Sequence, residues 1–446
     1  MTRWRILATS AVVLFFTSTA HGQTYLLSEP NVPDCYERVE LSMSLSGKLK
    51  LDQGGKDVAL EETAVATHDF VERIVEIGAE GAATKAARLY KTANVDIQVD
   101  KDKLNRQLRP ERMFVVAQRD RDGLLSYCPQ GPLTREEIDA VDHFDTFAIS
   151  GLLPQKAVEV GQSWTPAAGA VQALCHFQGL SDNKLVCTLA GVKDDRATIT
   201  VAGSAAGIDL GATVSATVQA SCRFDLKSQR VVEVQWKQKD ERAAGPVSPA
   251  SELEIMVRVV RTTVDPVNEL SDVALVPIPK GAPPREMTDL DCKDGDGRYT
   301  LRLGRDWQFV AKTKDHAVWR LMDRGEFIAQ ASVAIWKKAE AGKHLTPDEI
   351  KSIVANAPGW EQETLIKAGE VTLPSGQWAY LVAGEGDLDG VRAVQYFYVV
   401  AGPDGDQAML TFTATPAQSQ KLGTRDLEFV HGFQLPGPQL KSGAGN

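Results

Sequence analysis

Apolar residues at every second position run through much of this chain and predict a protein built mainly of β-strands. In YERVELSMSLSGKLKL, from Tyr36, the side chains Val39, Leu41, Met43 and Leu45 alternate with polar neighbours. That period of two marks a strand with one buried face. DVALEETAV and NVDIQV repeat it, and RMFVVAQRDRDGLLSYC places two runs around Asp122-Gly123, a hairpin turn. Further strands are expected in KLVCTLAGV, RATITVAG, ATVSATVQASCRFDL, RVVEVQWKQKDER and ELEIMVRVVRTTV, with Lys193-Asp194-Asp195 among the turns. The short connections imply an antiparallel meander, because parallel neighbours need longer crossovers.

Two helices interrupt these strands. In PLTREEIDAVDHF, Thr134 can cap the helix while Glu137 reaches back to close a capping box. In SWTPAAGAVQALCHF, Thr165 is the expected cap and Pro166 the first helical residue. Residues 23 to about 35 carry no clear period and read as an irregular entry.

From 264 to 297 the composition changes. Five prolines between Pro266 and Pro284, followed by glycines and acids, predict a semi-rigid linker. Beyond it the alternation resumes in RYTLRLGRDWQFVAK, FIAQASVAIWKK, GEVTLPSGQWAYLVAGEG, VRAVQYFYVVAG and QAMLTFTAT. LTPDEIKSIVANA is a helix capped by Thr346 with Pro347 at its first position. RDLEFVHGFQL reads as a short helix leading into a terminal strand. Residues 437–446 are expected to form a disordered tail. In GLLPQKAVEVGQSW, Gly161 precedes Trp164 by three, and Gly304 stands in the same relation to Trp307. Glycine permits the turn and the indole then pins the next segment into a core.

Residues 1–22 join a basic stub (Arg3, Arg5) to the apolar run ILATSAVVLFF and close on small residues. This is the pattern of a secretory signal peptide, too short to span a bilayer, and it predicts an exported protein, periplasmic, envelope-associated or extracellular. No later stretch predicts a membrane span, so no membrane insertion is expected after the leader is removed. Losing Arg3 and Arg5 takes the formal charge of the 446-residue chain from −10 to −12. An acidic body of this kind repels phosphate backbones, so nucleic acid is not an expected partner.

The six cysteines, Cys35, Cys128, Cys175, Cys187, Cys222 and Cys292, form no Cys-x-x-Cys pair. Strand and helix phase points Cys175, Cys187 and Cys222 into one core, as a disulfide candidate set or as buried thiols. The seven histidines are scattered singly, without His-Glu-x-x-His spacing. No nucleophile elbow, Walker loop or dinucleotide fingerprint is present. CKDGDGRYTL resembles a calcium loop through Asp294 and Asp296, but with Cys292 as position one the twelfth position is Leu303, where a bidentate glutamate is required. GEGDLDG, with Glu385, Asp387 and Asp389, likewise lacks a carboxylate in register. Both read as solvated turns. No catalytic, cofactor-binding or metal-ligating residue is singled out, and no cofactor is expected.

LLPQKAVEVGQSW, with GPLTREEID upstream, resembles uncharacterised exported bacterial β-rich proteins of the LLP-x-V-x-VG-x-x-W type, over residues 36 to 263. That likeness implies a fold and no activity. Residues 298–436 resemble the PsbP-like α/β/α sandwich, a fold also used by a nuclear Ran-binding protein, through YTLRLGRDW, LTPDEIKSIV and the closing strand order. The fold class expected is therefore α+β: an N-terminal large curved antiparallel sheet (36–263) with two or so helices, a linker (264–297), and a C-terminal α/β/α sandwich on an antiparallel sheet (298–436).

Three roles fit this reading. The first is a non-catalytic interaction or structural protein with a protein partner. The second is a carrier of an apolar, lipid-like ligand in a cavity of the curved sheet. The third is a hydrolase whose catalytic residues are dispersed in sequence.

Overall fold

The structure is a computed structural model. It describes residues 23–437, apart from 53–55, 80, 121–122 and 315. The leader 1–22, Asp122 of the predicted hairpin turn and most of the tail lie outside the described residues.

The strands from the first part of the chain are long. They are Thr24–Leu27 (β1), Tyr36–Asp52 (β2), Asp57–Ile77 (β3), Ala83–Val99 (β4), Asp102–Gln107 (β5), Phe114–Asp120 (β6) and Gly123–Tyr127 (β7). Lys156–Glu159 (β8), Ser163–Trp164 (β9), Gly179–Asn183 (β10), Val186–Lys193 (β11) and Arg196–Asp209 (β12) follow. Ala212–Asp225 (β13), Arg230–Arg242 (β14) and Ala250–Thr263 (β15) complete the set. All but β1 and β8 join one antiparallel sheet of order β7-β6-β4-β3-β2-β15-β14-β13-β12-β11-β9, with β5 beside β4 and β10 beside β12. The meander predicted from the short turns is present. At Asp194 and Asp195 the backbone takes positive φ (51° and 59°), as a tight hairpin turn demands. The pairing of β15 with β2 joins the two halves of this sheet, with Leu253 opposite Gly47.

One apolar core includes Val115 of β6 and Leu189 of β11, which stand near opposite ends of this strand order. Laid flat, eleven strands would span roughly 48 Å. A single core can meet both ends only if the sheet curves around it. The inner side is filled by the helices Arg135–Val141 (α1) and Ala168–Leu174 (α2) and by the 3₁₀ turn Thr146–Leu152. The Thr134–Glu137 capping box forms as expected.

Two local expectations are corrected. Helix α2 begins at Ala168 and has no side-chain cap, rather than starting at Pro166 behind Thr165. The backbone N–H of Ala167 donates to the Gly151 carbonyl at 3.0 Å, which holds the preceding residues extended. The entry segment is not irregular throughout: β1 pairs antiparallel with β8, setting Tyr25 opposite Val158. The GLLPQKAVEVGQSW stretch thus supplies a strand partner for the N-terminal segment. It also supplies a pin, since Trp164 packs against the core and donates its indole N–H to the Leu152 carbonyl at 2.9 Å.

Residues 264–297 carry the 3₁₀ turn Asn268–Leu270, the helices Asp272–Leu275 (α3) and Arg285–Thr288 (α4), and the strand Leu290–Lys293 (β16). Leu270, Leu275, Ile278 and Met287 pack with Tyr36, Phe114 and Tyr127. After Thr300–Leu303 (β17) come Trp307–Lys312 (β18), His316–Asp323 (β19), Glu326–Trp336 (β20), Trp360–Glu370 (β21), Trp378–Leu388 (β22), Val391–Ala401 (β23) and Gln407–Ala414 (β24). Strands β18 to β24 form a seven-stranded antiparallel sheet of order β18-β19-β20-β24-β23-β22-β21. One core of this sheet involves Pro347–Ala355 (α5), through Ile350 and Val354 packed with Phe397 and Val399. Another involves Pro416–Leu422 (α6) and Arg425–Gly432 (α7), together with β16, β17 and Phe433–Gln434 (β25). Trp307 is 3% exposed and meets Phe412 and Phe429 edge-on at 5.9 and 5.1 Å, a core pin like Trp164.

All six cysteines are free thiols. Cys175, Cys187 and Cys222 share one core, as their phase predicted, but no bridge joins them. Cys187 lies opposite Val201 and Cys222 opposite Ile199, on the two flanks of β12. A whole strand between them sets their Cα atoms roughly 10 Å apart or more, whereas a disulfide reaches about 7 Å.

Candidate ligand-binding face

Strand register assigns the inner face of the large sheet row by row. A lower row contains Ala93, His68, Leu41, Val259 and Val234, all buried. Two rows above it run Ile97, Ala64, Leu45, Ile255 and Gln238. The next row holds Val99, Glu62, Gly47, Leu253 and Asp240, and Leu60 and Leu49 pair above that. The lower rows lie beneath the helices. In the upper rows Leu45, Leu49, Leu60, Val99, Ile97 and Leu253 are only half-buried. None of these six belongs to a core cluster of the described residues. On the opposite face the same strands present Ser42, Ser46, Lys48, Glu61 and Thr63 to solvent. The curved sheet is therefore packed at one end and carries an uncovered aliphatic wall at the other.

The packed end contains charge. Arg88 is fully buried, donates to Glu72 at 3.1 Å and to the Thr146 hydroxyl at 2.9 Å, and lies 5.1 Å from the ring centres of both Phe70 and Phe147. His143 bonds the Tyr90 hydroxyl and the Phe144 carbonyl, both at 2.9 Å, and its ring lies 4.8 Å from that of His68. His68 Nε2 meets the Ala140 carbonyl at 2.8 Å. Burial pushes His68 down to about 4, only partly opposed by that carbonyl, and burial also takes His143 well below the usual imidazole range. Both rings stay neutral at pH 7. The group joins helix to sheet and is closed to solvent, with His68, His143, Glu72 and Arg88 each under 7% exposed. Within it His68 Nδ1 and Arg88 Nη1 are buried without a hydrogen-bond partner among the described residues, so the network is extensive but not fully satisfied.

Between the packed end and the open wall lies a second polar set. His176 at the end of α2 takes a left-handed φ of 60° and sets Nε2 3.5 Å from Asp142. Asp142, then Asp209, Asp240 and Asp145, raise its affinity for a proton against the opposing effect of burial. Both side chains of the pair are more than half exposed, so solvent screens it. Asp240 is pushed up to about 6 by burial, opposed by Gln238, whose amide donates to both its oxygens at 2.9 and 3.0 Å.

The two acidic loops weighed as calcium sites have other occupations. Asp294 accepts from Arg298 at 2.8 Å and from Lys312 at 2.7 Å, and also from the backbone of Asp296. These cations, led by Arg298, hold its carboxyl well below the usual range. In the second loop Glu385 pairs with Arg392 at 3.0 Å. No group of three or more His, Cys, Asp or Glu among the described residues is arranged to hold a metal.

A groove of about 520 Å³ between the connector and the second sheet is lined by Arg285, Arg305, Trp307, Arg425 and acidic neighbours. Arg285 meets Glu428 and Asp289, and Arg425 meets Asp306 and Asp323, so most of its charge is matched internally.

Of the histidines, the structure brings His68 and His143 together and sets His344 flat against Trp378 at 3.7 Å. His316 is exposed. The polar residues facing inward escaped the reading of the sequence. One signal marked them: Glu62 stands in phase with Leu60 and Ala64, and Asp240 with Val234 and Trp236, each a polar residue in an apolar register.

No protein-family model and no curated protein matches the sequence. Among solved structures, the chain is similar to cyanobacterial PsbP (CyanoP) from Synechocystis sp., at 15% identity and a TM-score of 0.26, over 33% of this chain and 92% of that one. It is similar to lipovitellin, in a structure concerned with lipid–protein interactions, at 9% identity and a TM-score of 0.30, over 53% of this chain and 26% of that one. It is also similar to a DUF1329 family protein from Desulfovibrio piger, at 10% identity and a TM-score of 0.12, over 54% of this chain and 92% of that one. The chain spans about a quarter of the lipovitellin it matches, and at these TM-scores none of the three likenesses assigns a family or a function.

Proposed function

We propose that this protein is an exported, non-catalytic binder of apolar ligands bearing an aliphatic chain, held on the uncovered wall of the large sheet. Export rests on the leader pattern of residues 1–22. The reading also takes 36–263 as the ligand-binding unit, 264–297 as its connector and 298–436 as a PsbP-like sandwich.

The observation that carries it is the half-buried aliphatic wall of Leu45, Leu49, Leu60, Ile97, Val99 and Leu253, which joins no core. A contiguous apolar surface left uncovered marks an interaction site. Its concave setting and aliphatic lining suit a flexible hydrocarbon better than a flat aromatic ring or a protein face. Each methylene taken from water contributes about 0.8 kcal/mol, so two added carbons should tighten binding roughly tenfold.

The test is displacement of a fluorescent fatty-chain probe by straight-chain alcohols of increasing length. Affinity should rise with chain length and collapse in Leu45→Asp and Leu60→Asp, with the circular dichroism spectrum retained. No probe binding, or affinity independent of chain length, would remove this reading.

A further inference from the structure

Glu62 is the polar residue placed within the aliphatic wall. It lies on β3 between Val99 of β4 and Gly47 of β2, in phase with Leu60 and Ala64, and it is half-buried. The glutamates around it on the outer face have cations: Glu61 meets Lys48 at 3.1 Å, Glu252 meets Lys50, and Glu254 meets Lys237 at 2.9 Å. The carboxylate of Glu62 has no hydrogen-bond or ion-pair partner among the described residues. Burial alone raises its proton affinity, and no neighbouring charge contributes. An ionised carboxylate half withdrawn from water with nothing to balance it is unfavourable, and a cation supplied from outside would relieve that cost.

Between Glu62 and Leu253 the row carries no side chain, because Gly47 of β2 stands there. A Cβ at Gly47 would come within 2.0 Å of the Glu252 carbonyl oxygen, so the β2–β15 contact excludes any side chain there.

The geometry points to Glu62 as the residue that recognises the head of the bound molecule, and to that molecule as a chain amphiphile bearing a protonated amine. This rests on the apolar-ligand reading above: the wall takes the hydrocarbon, and Glu62 pairs with the ammonium lodged over Gly47. Charge complementarity decides the class. A fatty acid would bring a second carboxylate to an unpaired one, and an alcohol would leave the charge unmatched.

The experiment compares decylamine, decanol and decanoate, each below its aggregation concentration, by isothermal titration at pH 7.5. Wild-type protein should bind decylamine at least tenfold more tightly than either of the others. Glu62→Gln, which keeps shape and removes charge, should lower amine affinity to that of the alcohol and leave the alcohol unchanged. Asp240→Asn, on the same row but held by Gln238, should preserve the amine preference. Equal binding of amine and alcohol by the wild type, or a preference that survives Glu62→Gln, would overturn the role of Glu62 while leaving the wall as a hydrocarbon site. Absence of binding by all three would overturn both.

Discussion

Lys85 Nζ lies 3.0 Å from the carbonyl oxygen of Pro279, a residue 194 positions away in the chain. The lysine is fully buried and also meets Glu76 at 2.7 Å and the Gly281 carbonyl at 3.4 Å, while Gln118 donates to the same Gly281 carbonyl at 3.0 Å. Arg73 does the same further along, donating to the Leu270 carbonyl at 2.8 Å, which Tyr36 also contacts at 3.0 Å. The proline-rich connector is thus held by side chains of the large sheet.

Lys85→Met should free that connector. The carbonyls of Pro279 and Gly281 would lose a buried donor, at a cost of about 1–3 kcal/mol. Hydrogen exchange should accelerate across residues 276–284 and stay unchanged in β19 and β20. Unaltered exchange in the connector would show that apolar packing of Leu270 and Ile278 alone holds it.

The buried histidines make stability depend on pH. Burial holds His68 down to about 4 in the folded chain, against about 6.5 for an ordinary imidazole in the unfolded one, and His143 is depressed in the same direction. The unfolded chain therefore binds more protons between those values. The stability that His68 contributes is fully present above about pH 6.5 and is lost as pH falls towards 4, at about 1.4 kcal/mol per pH unit, and His143 acts in the same direction. Urea midpoints measured from pH 7 to 4.5 should fall more steeply for the wild type than for His68→Leu. Parallel curves would mean that His68 does not titrate differently on folding.

The thiols offer a direct count. Burial raises Cys175, Cys187 and Cys222 to about 12, so all three should resist a thiol reagent in the native protein. In denaturant all six cysteines should react. Two fewer would require a disulfide, which between Cys187 and Cys222 would demand displacement of the strand that separates them.

Local chemistry was legible wherever neighbours in sequence are also neighbours in space. The capping box of Thr134 with Glu137 follows from a spacing of three and is formed, and Thr346 caps its helix as expected, with Glu349 closing a second box that had not been singled out. The hairpin turn at Asp194-Asp195 and the phase of β2 and β13 follow from the same local rules. Helix α2 departs because its start is set by a bond to Gly151, which no spacing rule around Pro166 encodes. Strand β19 and helix α6 were not expected at all. HAVWRLMD alternates only weakly, and its place between β18 and β20 comes from pairing on both edges.

By itself the sequence determined which side chains share a face, because a strand alternates and a helix turns with fixed periods. The fold decided what those faces meet. Leu253 reaches Gly47 across some two hundred residues, and that single pairing sets Glu62, Asp240 and the aliphatic wall on one side of one sheet. Such closure depends on the summed energies of long-range hydrogen bonds and burial, for which no short window of sequence carries a signal.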